Sequence, residues 1–165
     1  MGSRTRKVKF ITDEISRDVD FGTYAIMMYY AKQLNITKTE FLFNATLTEY
    51  GFRVEHDLST EDLDGVDDLE AHFIPQEIRD SIIFIDNELI PALNNETLNL
   101  IEKYGGRDNF YKLFYTNPGY LIALGLNDDE IYFDIPSSIV AFLNRLKEVF
   151  ELALNSNTPY EVFIH

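Results

Sequence analysis

Cysteine and tryptophan are both absent from this chain of 165 residues. Without cysteine there can be no disulfide, no thiol nucleophile and no cysteine-ligated zinc site. No apolar run approaches the ~18 residues that a membrane-spanning helix requires, and the opening residues lack the apolar segment of a signal peptide. We therefore expect a cytoplasmic protein with no membrane partner.

Recognisable catalytic motifs are missing as well. The sequence contains no Gly-Lys-Ser/Thr triplet of a phosphate-binding loop and no Gly-x-Ser-x-Gly elbow. Asp62-Leu63-Asp64-Gly65 resembles part of an EF-hand loop, but the alignment then places Thr60 and Ala71 where calcium ligands are required. The sequence therefore predicts no calcium site, no other cofactor and no enzymatic activity.

Positive charge is scarce, with 14 basic against 28 acidic residues and a formal net charge of -14. Arg4, Arg6, Lys7 and Lys9 precede the first acidic residue, so the remaining chain is more acidic still. Affinity for a nucleic-acid backbone comes from cations that neutralise phosphates. Direct binding of nucleic acid is therefore not expected.

One acidic segment stands out. The stretch from Val54 to Ile78 contains nine carboxylates and no lysine or arginine. Because such self-repulsion costs stability, the segment predicts a basic partner that neutralises it. Aromatic residues beside the acids are candidate anchors. The predicted partner-binding residues are Glu55, Asp57, Glu61, Asp62, Asp64, Asp67, Asp68, Glu70, Tyr50 and Phe73.

Several functions are compatible with this pattern. The leading hypothesis is a small acidic binding protein that inhibits a basic protein, such as an immunity protein against a nuclease toxin or an inhibitor of another nucleic-acid-processing enzyme. An alternative is a nucleic-acid mimic with an anti-defence role. A further alternative is a metal-dependent enzyme or sensor that uses carboxylates with His56 or His72, or a pocket lined by Tyr24, Met27 and Met28. A solvated acidic loop without a partner is an equally open interpretation.

The first part of the chain predicts a strand, a helix and a hairpin. The strand runs from Lys7 to Thr12, and Asp18 or Asp20 caps a helix from Phe21 to Leu34. This helix is apolar nearly all round, which is typical of a buried helix. Alternating apolar and polar residues predict a hairpin of Glu40 to Thr48 and Phe52 to Asp57.

The second part of the chain predicts three helices and four strands. A helix begins at Pro75 and runs to about Leu93, with Pro91 as a kink or stop. The other predicted elements are a short helix from Asn95 to Tyr104 that ends at Gly105-Gly106, strands Phe110 to Thr116, Tyr120 to Leu126 and Glu130 to Ile135, a helix capped by Ser137 or Ser138, and a closing strand Tyr160 to Ile164. The helix after Ser138 has a predicted apolar stripe of Ile139, Phe142, Leu143, Leu146, Val149, Phe150 and Ala153.

Together these elements predict a single α+β domain over residues 1–165, with residues 1–6 as a tag-derived or disordered tail. We expect a mostly antiparallel sheet packed against about four helices. The hairpin of Tyr120 to Leu126 and Glu130 to Ile135 should lie at its centre, because the first of these strands is apolar on both faces.

Overall fold

The computed structural model of the protein describes residues 6–47, 69–70, 74–116, 126, 131 and 133–164. The strands are β1 (Lys7–Ile11), β2 (Ser16–Asp20), β3 (Leu69–Glu70) and β4 (Glu161–Ile164). The helices are α1 (Phe21–Leu34), α2 (Ile36–Thr46), α3 (Pro75–Phe84), α4 (Ile90–Asn94), α5 (Leu100–Lys103), α6 (Arg107–Thr116) and α7 (Pro136–Ser156). A π-helical turn, Ile85–Leu89, lies between α3 and α4.

The sheet is antiparallel, with the strand order β2-β1-β4-β3. Val8 and Phe10 of β1 are fully buried, and the ring of Phe10 lies 6.3 Å from that of Phe142 on α7. Lys7 and Lys9 alternate with them and therefore lie on the other face. The sheet thus has one face packed against helices and one polar face, which is typical of antiparallel sheets.

The strands predicted at the two ends of the chain are confirmed as β1 and β4. The sequence did not predict β2, because its residues, Ser16–Asp20, are mostly polar. Pairing with β1 stabilises β2, and its Val19 lies opposite the buried Val8.

Helix α1 has the predicted bounds and is buried on every side. All eleven residues from Phe21 to Ala31 are buried, which matches the apolar character of the whole helix. Asp20 is the N-terminal cap residue by its extended backbone, but its side chain makes no capping hydrogen bond. Helix α1 is therefore held by burial rather than by a strong cap.

The predicted strand from Glu40 to Thr48 is wrong, since residues 36–46 form helix α2. Asn35 starts this helix by accepting a hydrogen bond from the Lys38 amide at 3.1 Å. Its buried side chains include Thr39, Leu42, Phe43 and Thr46, a helical spacing that coexists with the strand-like alternation. The partner strand, Phe52 to Asp57, lies outside the described residues.

The helix predicted from Pro75 to about Leu93 is confirmed, but the π-helical turn interrupts it. The Ile90 amide donates to the carbonyl of Ile85, five residues earlier. Pro91 explains the wider turn, because proline lacks an amide hydrogen and its ring crowds the carbonyl four residues before it. The turn also presents Asp86 to Lys147 of α7 and Glu88 to Lys38 of α2.

The predicted strand from Phe110 to Thr116 is also wrong, because these residues belong to helix α6. Phe110 and Phe114 are both fully buried and stand one helical turn apart. The predicted stop at Gly105-Gly106 is confirmed, since both glycines have positive φ and link α5 to α6. Helix α5 is shorter than the predicted helix, which was placed from Asn95 to Tyr104.

The predicted central hairpin is not found among the described residues. Most of Tyr120 to Leu126 lies outside them, and residues 131 and 133–135 of the second predicted strand are not in strand conformation. Asp134 instead binds the start of α5. Its carbonyl accepts a hydrogen bond from the Leu100 amide at 3.0 Å, and its carboxylate accepts one from the Ile101 amide at 3.1 Å.

The last helix, α7, agrees best with the sequence. Its buried residues are those of the predicted stripe, Ile139, Phe142, Leu143, Leu146, Val149, Phe150 and Ala153. Pro136 takes the first helical position, and no serine caps the helix through its side chain. The α+β class is confirmed, but helices dominate the described chain instead of the sheet. The prediction of about four helices is too low, since the described residues form seven α-helices. None of its helices is long and apolar enough to span a bilayer.

Buried hydroxyls tie α2 to its neighbours. The Tyr160 hydroxyl, fully buried before β4, donates to the carbonyl of Ala45. We expect Tyr160→Phe to lower the free energy of unfolding by about 1–2 kcal/mol, because the buried carbonyl loses its partner. Chemical denaturation measures the change. A loss below about 0.5 kcal/mol would contradict this role.

The pair of Lys38 and Glu88 provides a pH-dependent contribution to stability. The hydrogen bond from the Lys38 ammonium holds the pKa of Glu88 below its usual range. The contribution is therefore present above the ordinary glutamate pKa and is lost as pH falls through the lowered value. We expect Glu88→Gln to destabilise the protein at neutral pH but much less near pH ~3. An equal effect at both pH values, measured by urea unfolding, would refute the linkage.

Candidate functional site

An electronegative pocket lies at one end of the sheet. It has a volume of about 210 Å³ and is formed where the β1–β2 turn, the end of α7 and the start of β4 meet. Its polar lining consists of Thr12, Asp13, Glu14, Ser156, Thr158 and Glu161. Three of these six side chains are carboxylates and none is basic. We call this group of residues the acidic pocket.

The β1–β2 turn places two of the carboxylates. Thr12 organises the turn, because its amide donates to the Ile15 carbonyl at 2.9 Å and its hydroxyl accepts from the amides of Glu14 and Ile15 at 3.2 and 3.0 Å. Such side-chain hydrogen bonds to the following backbone are typical of threonine turns. The side chains of Asp13 and Glu14 are left exposed to solvent.

The C-terminal end of α7 adds negative potential to the same pocket. Asn157 ends the helix in the left-handed conformation, and the Thr158 amide donates to the carbonyl of Ala153 at 3.1 Å. A helix C-terminus carries the negative end of the macrodipole, and basic residues there normally offset it. The last turn of α7 has no basic residue. Its dipole therefore adds to the field of Asp13, Glu14 and Glu161.

The acidic segment joins the sheet at this end. The register of β3 and β4 places Glu70 directly opposite Glu161, which itself lies opposite Ile11 of β1. Among the residues that the structure describes, Asp13, Glu14 and Glu161 form no ion pair. Their charge therefore remains available to a ligand or partner.

Of the ten predicted partner-binding residues, only Glu70 is described, as part of β3. The other nine lie outside the described residues, namely Tyr50, Glu55, Asp57, Glu61, Asp62, Asp64, Asp67, Asp68 and Phe73. Sequence reasoning missed Asp13, Glu14 and Glu161, because about 150 residues separate the β1–β2 turn from β4. The sequence Thr12-Asp13-Glu14 is typical of a turn, but it does not show that this turn lies close to Glu161.

The predicted pocket at Tyr24, Met27 and Met28 is wrong. All three side chains are fully buried in the core, and the Tyr24 hydroxyl shares a hydrogen bond of 2.5 Å with Thr46. The two candidate metal ligands, His56 and His72, lie outside the described residues. Within the described ranges, no cluster of three or more potential metal ligands occurs.

The acidic pocket predicts a measurable effect of charge on stability. We expect the double substitution Glu14→Gln and Glu161→Gln to raise the melting temperature by about 1–3 °C at low salt, because repulsion is removed. The gain should shrink at about 0.5 M salt, where screening is strong. Glu40→Gln with Glu102→Gln, two exposed residues elsewhere, is the matched control. Equal effects of the two pairs would argue against an electronegative pocket.

Comparison of the chain with protein-family models, with curated proteins and with solved structures gives no match. No activity or partner of a relative can therefore be carried over to these residues. The function of the chain has to be inferred from the charge and geometry of its own side chains.

Proposed function

We propose that this protein is a non-enzymatic binding protein that neutralises a basic protein partner. An immunity protein against a nuclease toxin is the type of protein that this proposal fits best, since such toxins need cationic surfaces to hold nucleic acid. The observation that carries the proposal is the uneven distribution of negative charge along the chain.

Residues 48–73 contain nine acidic residues and a single basic one, Arg53. The other 139 residues contain 19 acidic and 13 basic residues, so they are far closer to balance. Solubility alone requires neither this concentration nor the absence of interleaved cations. A local excess of one sign is instead typical of a surface that steers an oppositely charged partner.

The acidic pocket adds carboxylates whose positions the structure describes. Asp13, Glu14, Glu161 and the end of α7 contribute negative potential at the end of the sheet where β3 carries Glu70. A partner that contacts the acidic segment near Glu70 would therefore meet further carboxylates on a fixed scaffold.

Different residues are expected to contribute differently to affinity. Exposed carboxylates mainly accelerate association and fix the orientation of the partner, while desolvated aromatic side chains supply much of the binding energy. We assign the anchoring role to Tyr50 and Phe73. The steering role belongs to Glu55, Asp57, Glu61, Asp62, Asp64, Asp67, Asp68 and Glu70, together with the carboxylates of the acidic pocket.

The proposal is tested with two variants that have the same net charge as each other but reverse acidic residues at different places. Glu61, Asp62, Asp64 and Asp67 are replaced by lysine in one variant. In the control variant, Glu40, Glu102, Asp108 and Glu151 are replaced by lysine; these four are exposed in the structure. We expect the first variant to slow association with a basic nuclease domain by at least about tenfold more than the control, because it reverses the steering field locally. Stopped-flow fluorescence measures the rates.

Salt provides the second arm of the same test. The association rate of the unmodified protein should fall steeply between about 0.01 and 0.5 M salt, since the Debye length shrinks from ~30 Å to a few ångströms. Dissociation should change much less, because packed anchors set the residence time. A flat association rate, or equal losses in both variants, would overturn the proposal.

A further inference from the structure

Within the part of the chain that the structure describes, strand β2 has an open edge, because the sheet order places it outermost beside β1. Two backbone bonds fix which of its groups face outward: Thr12 donates to Ile15 at 2.9 Å, and Phe21 donates to Arg6 at 2.9 Å. Hydrogen-bonded and non-hydrogen-bonded pairs alternate along an antiparallel ladder. The three residues whose amides and carbonyls point away from β1 are consequently Ser16, Asp18 and Asp20.

Most of these outward groups have no partner within the sheet or the helices that the structure describes. The Ser16 carbonyl accepts from the Arg17 guanidinium at 3.1 Å. The Asp20 carbonyl faces into the first turn of α1, where a capping residue normally accepts. Among the described residues, no hydrogen-bond partner is found for the amides of Ser16, Asp18 and Asp20 or for the carbonyl of Asp18. Such a row is a template for another strand.

The charge of this edge selects the kind of strand. The side chains of Asp18 and Asp20 lie on the polar face of the sheet and would stand ~5 Å from the residues of an added strand. Lys7 and Lys9 of β1 stand directly opposite Asp20 and Asp18, on the side of β2 away from an added strand. Burial raises the pKa of Asp20, Lys7 opposes that rise, and Asp18 adds to it. A cation placed beside these carboxylates would stabilise their charged forms.

We propose that β2 is the docking edge for an extended basic segment of a partner protein, which adds a strand with lysine or arginine at alternate positions. A second copy of this chain suits the edge less well, because antiparallel pairing of two β2 strands about Asp18 places aspartate opposite aspartate. The inference rests on the proposed function in one respect, that the partner is basic. It adds a second contact surface, distinct from the acidic segment.

The probe for this edge is a blocked peptide of about six residues in which lysine and valine alternate. We expect it to shift the amide resonances of Ser16, Asp18 and Asp20 and to slow hydrogen exchange of the Asp18 amide at least about tenfold. A peptide of alternating glutamate and valine is the charge control and should leave these amides unchanged. Shifts confined to other residues, or equal effects of both peptides, would overturn the proposal.

Two further variants separate strand pairing from simple charge attraction. Methylation of the peptide amides on the edge that faces β2 should weaken binding at least about tenfold, whereas methylation on the opposite edge should not. Asp18→Pro removes an outward amide without removing a bond to β1 and should have the same effect. If the Asp18→Pro variant does not fold, the comparison of the two methylated peptides tests strand pairing by itself. Equal binding of the two methylated peptides would refute pairing.

Two further outcomes distinguish binding at the β2 edge from binding at the acidic segment and from pairing with a second copy of the chain. The variant with lysine at Glu61, Asp62, Asp64 and Asp67 should bind the lysine peptide at β2 unchanged. Loss of peptide binding in that variant would place the contact on the acidic segment, which overturns the edge proposal while leaving the proposed function standing. If hydrogen-exchange protection of the Asp18 amide rises with protein concentration in the absence of peptide, the edge of β2 binds a second copy of the chain. This result would overturn the proposal that a basic partner docks there.

Discussion

The complete burial of α1 is the constraint on which the rest of the structure depends. Because this helix is apolar on all sides from Phe21 to Ala31, no single layer can cover it. Strands β1 and β2, helix α2 and the π-helical turn all contact it. The ring of Phe110 on α6 packs edge-on against Tyr29, with centroids 5.4 Å apart. Elements from the start and from the middle of the chain therefore converge on one helix.

Polar groups in this core fix the positions of the elements around α1. The Tyr24 hydroxyl meets Thr46 at the end of α2, and the Tyr160 hydroxyl bonds the neighbouring carbonyl of Ala45. Buried hydroxyls are costly without partners, so they favour one arrangement over others with equal apolar burial. The end of α2 is thereby held between α1 and the residue that leads into β4. This arrangement also fixes where β4, and with it Glu161, enters the sheet.

The acidic residues that form ion pairs between the described elements are distinct from the carboxylates of the acidic pocket. Arg17 pairs with Glu148 at 3.0 Å across β2 and α7, and the π-helical turn uses its acids to pair with α2 and α7. These charges are compensated within the fold. The carboxylates of the acidic pocket lie next to a helix end that adds to their field instead of offsetting it. Among the described residues, the fold thus separates charges that join its elements from carboxylates that form no ion pair.

The sequence by itself determined the elements whose patterns have one interpretation. The stripe of α7, the all-round apolar α1, the glycine stop after α5 and the terminal strands are local properties of spacing and backbone freedom. The acidic segment is likewise a fact of composition, which no folding changes.

Tertiary structure decided the elements whose patterns were ambiguous. Residues 40–46 alternate like a strand but become helical, because Asn35 caps them and α3 buries their helical face. Residues 110–116 become helical because Phe110 and Phe114, one turn apart, pack in the core. The acidic pocket is a purely tertiary feature, since it joins a turn near the start of the chain to a strand at its end. Neither composition nor periodicity specifies distances between residues so far apart in sequence.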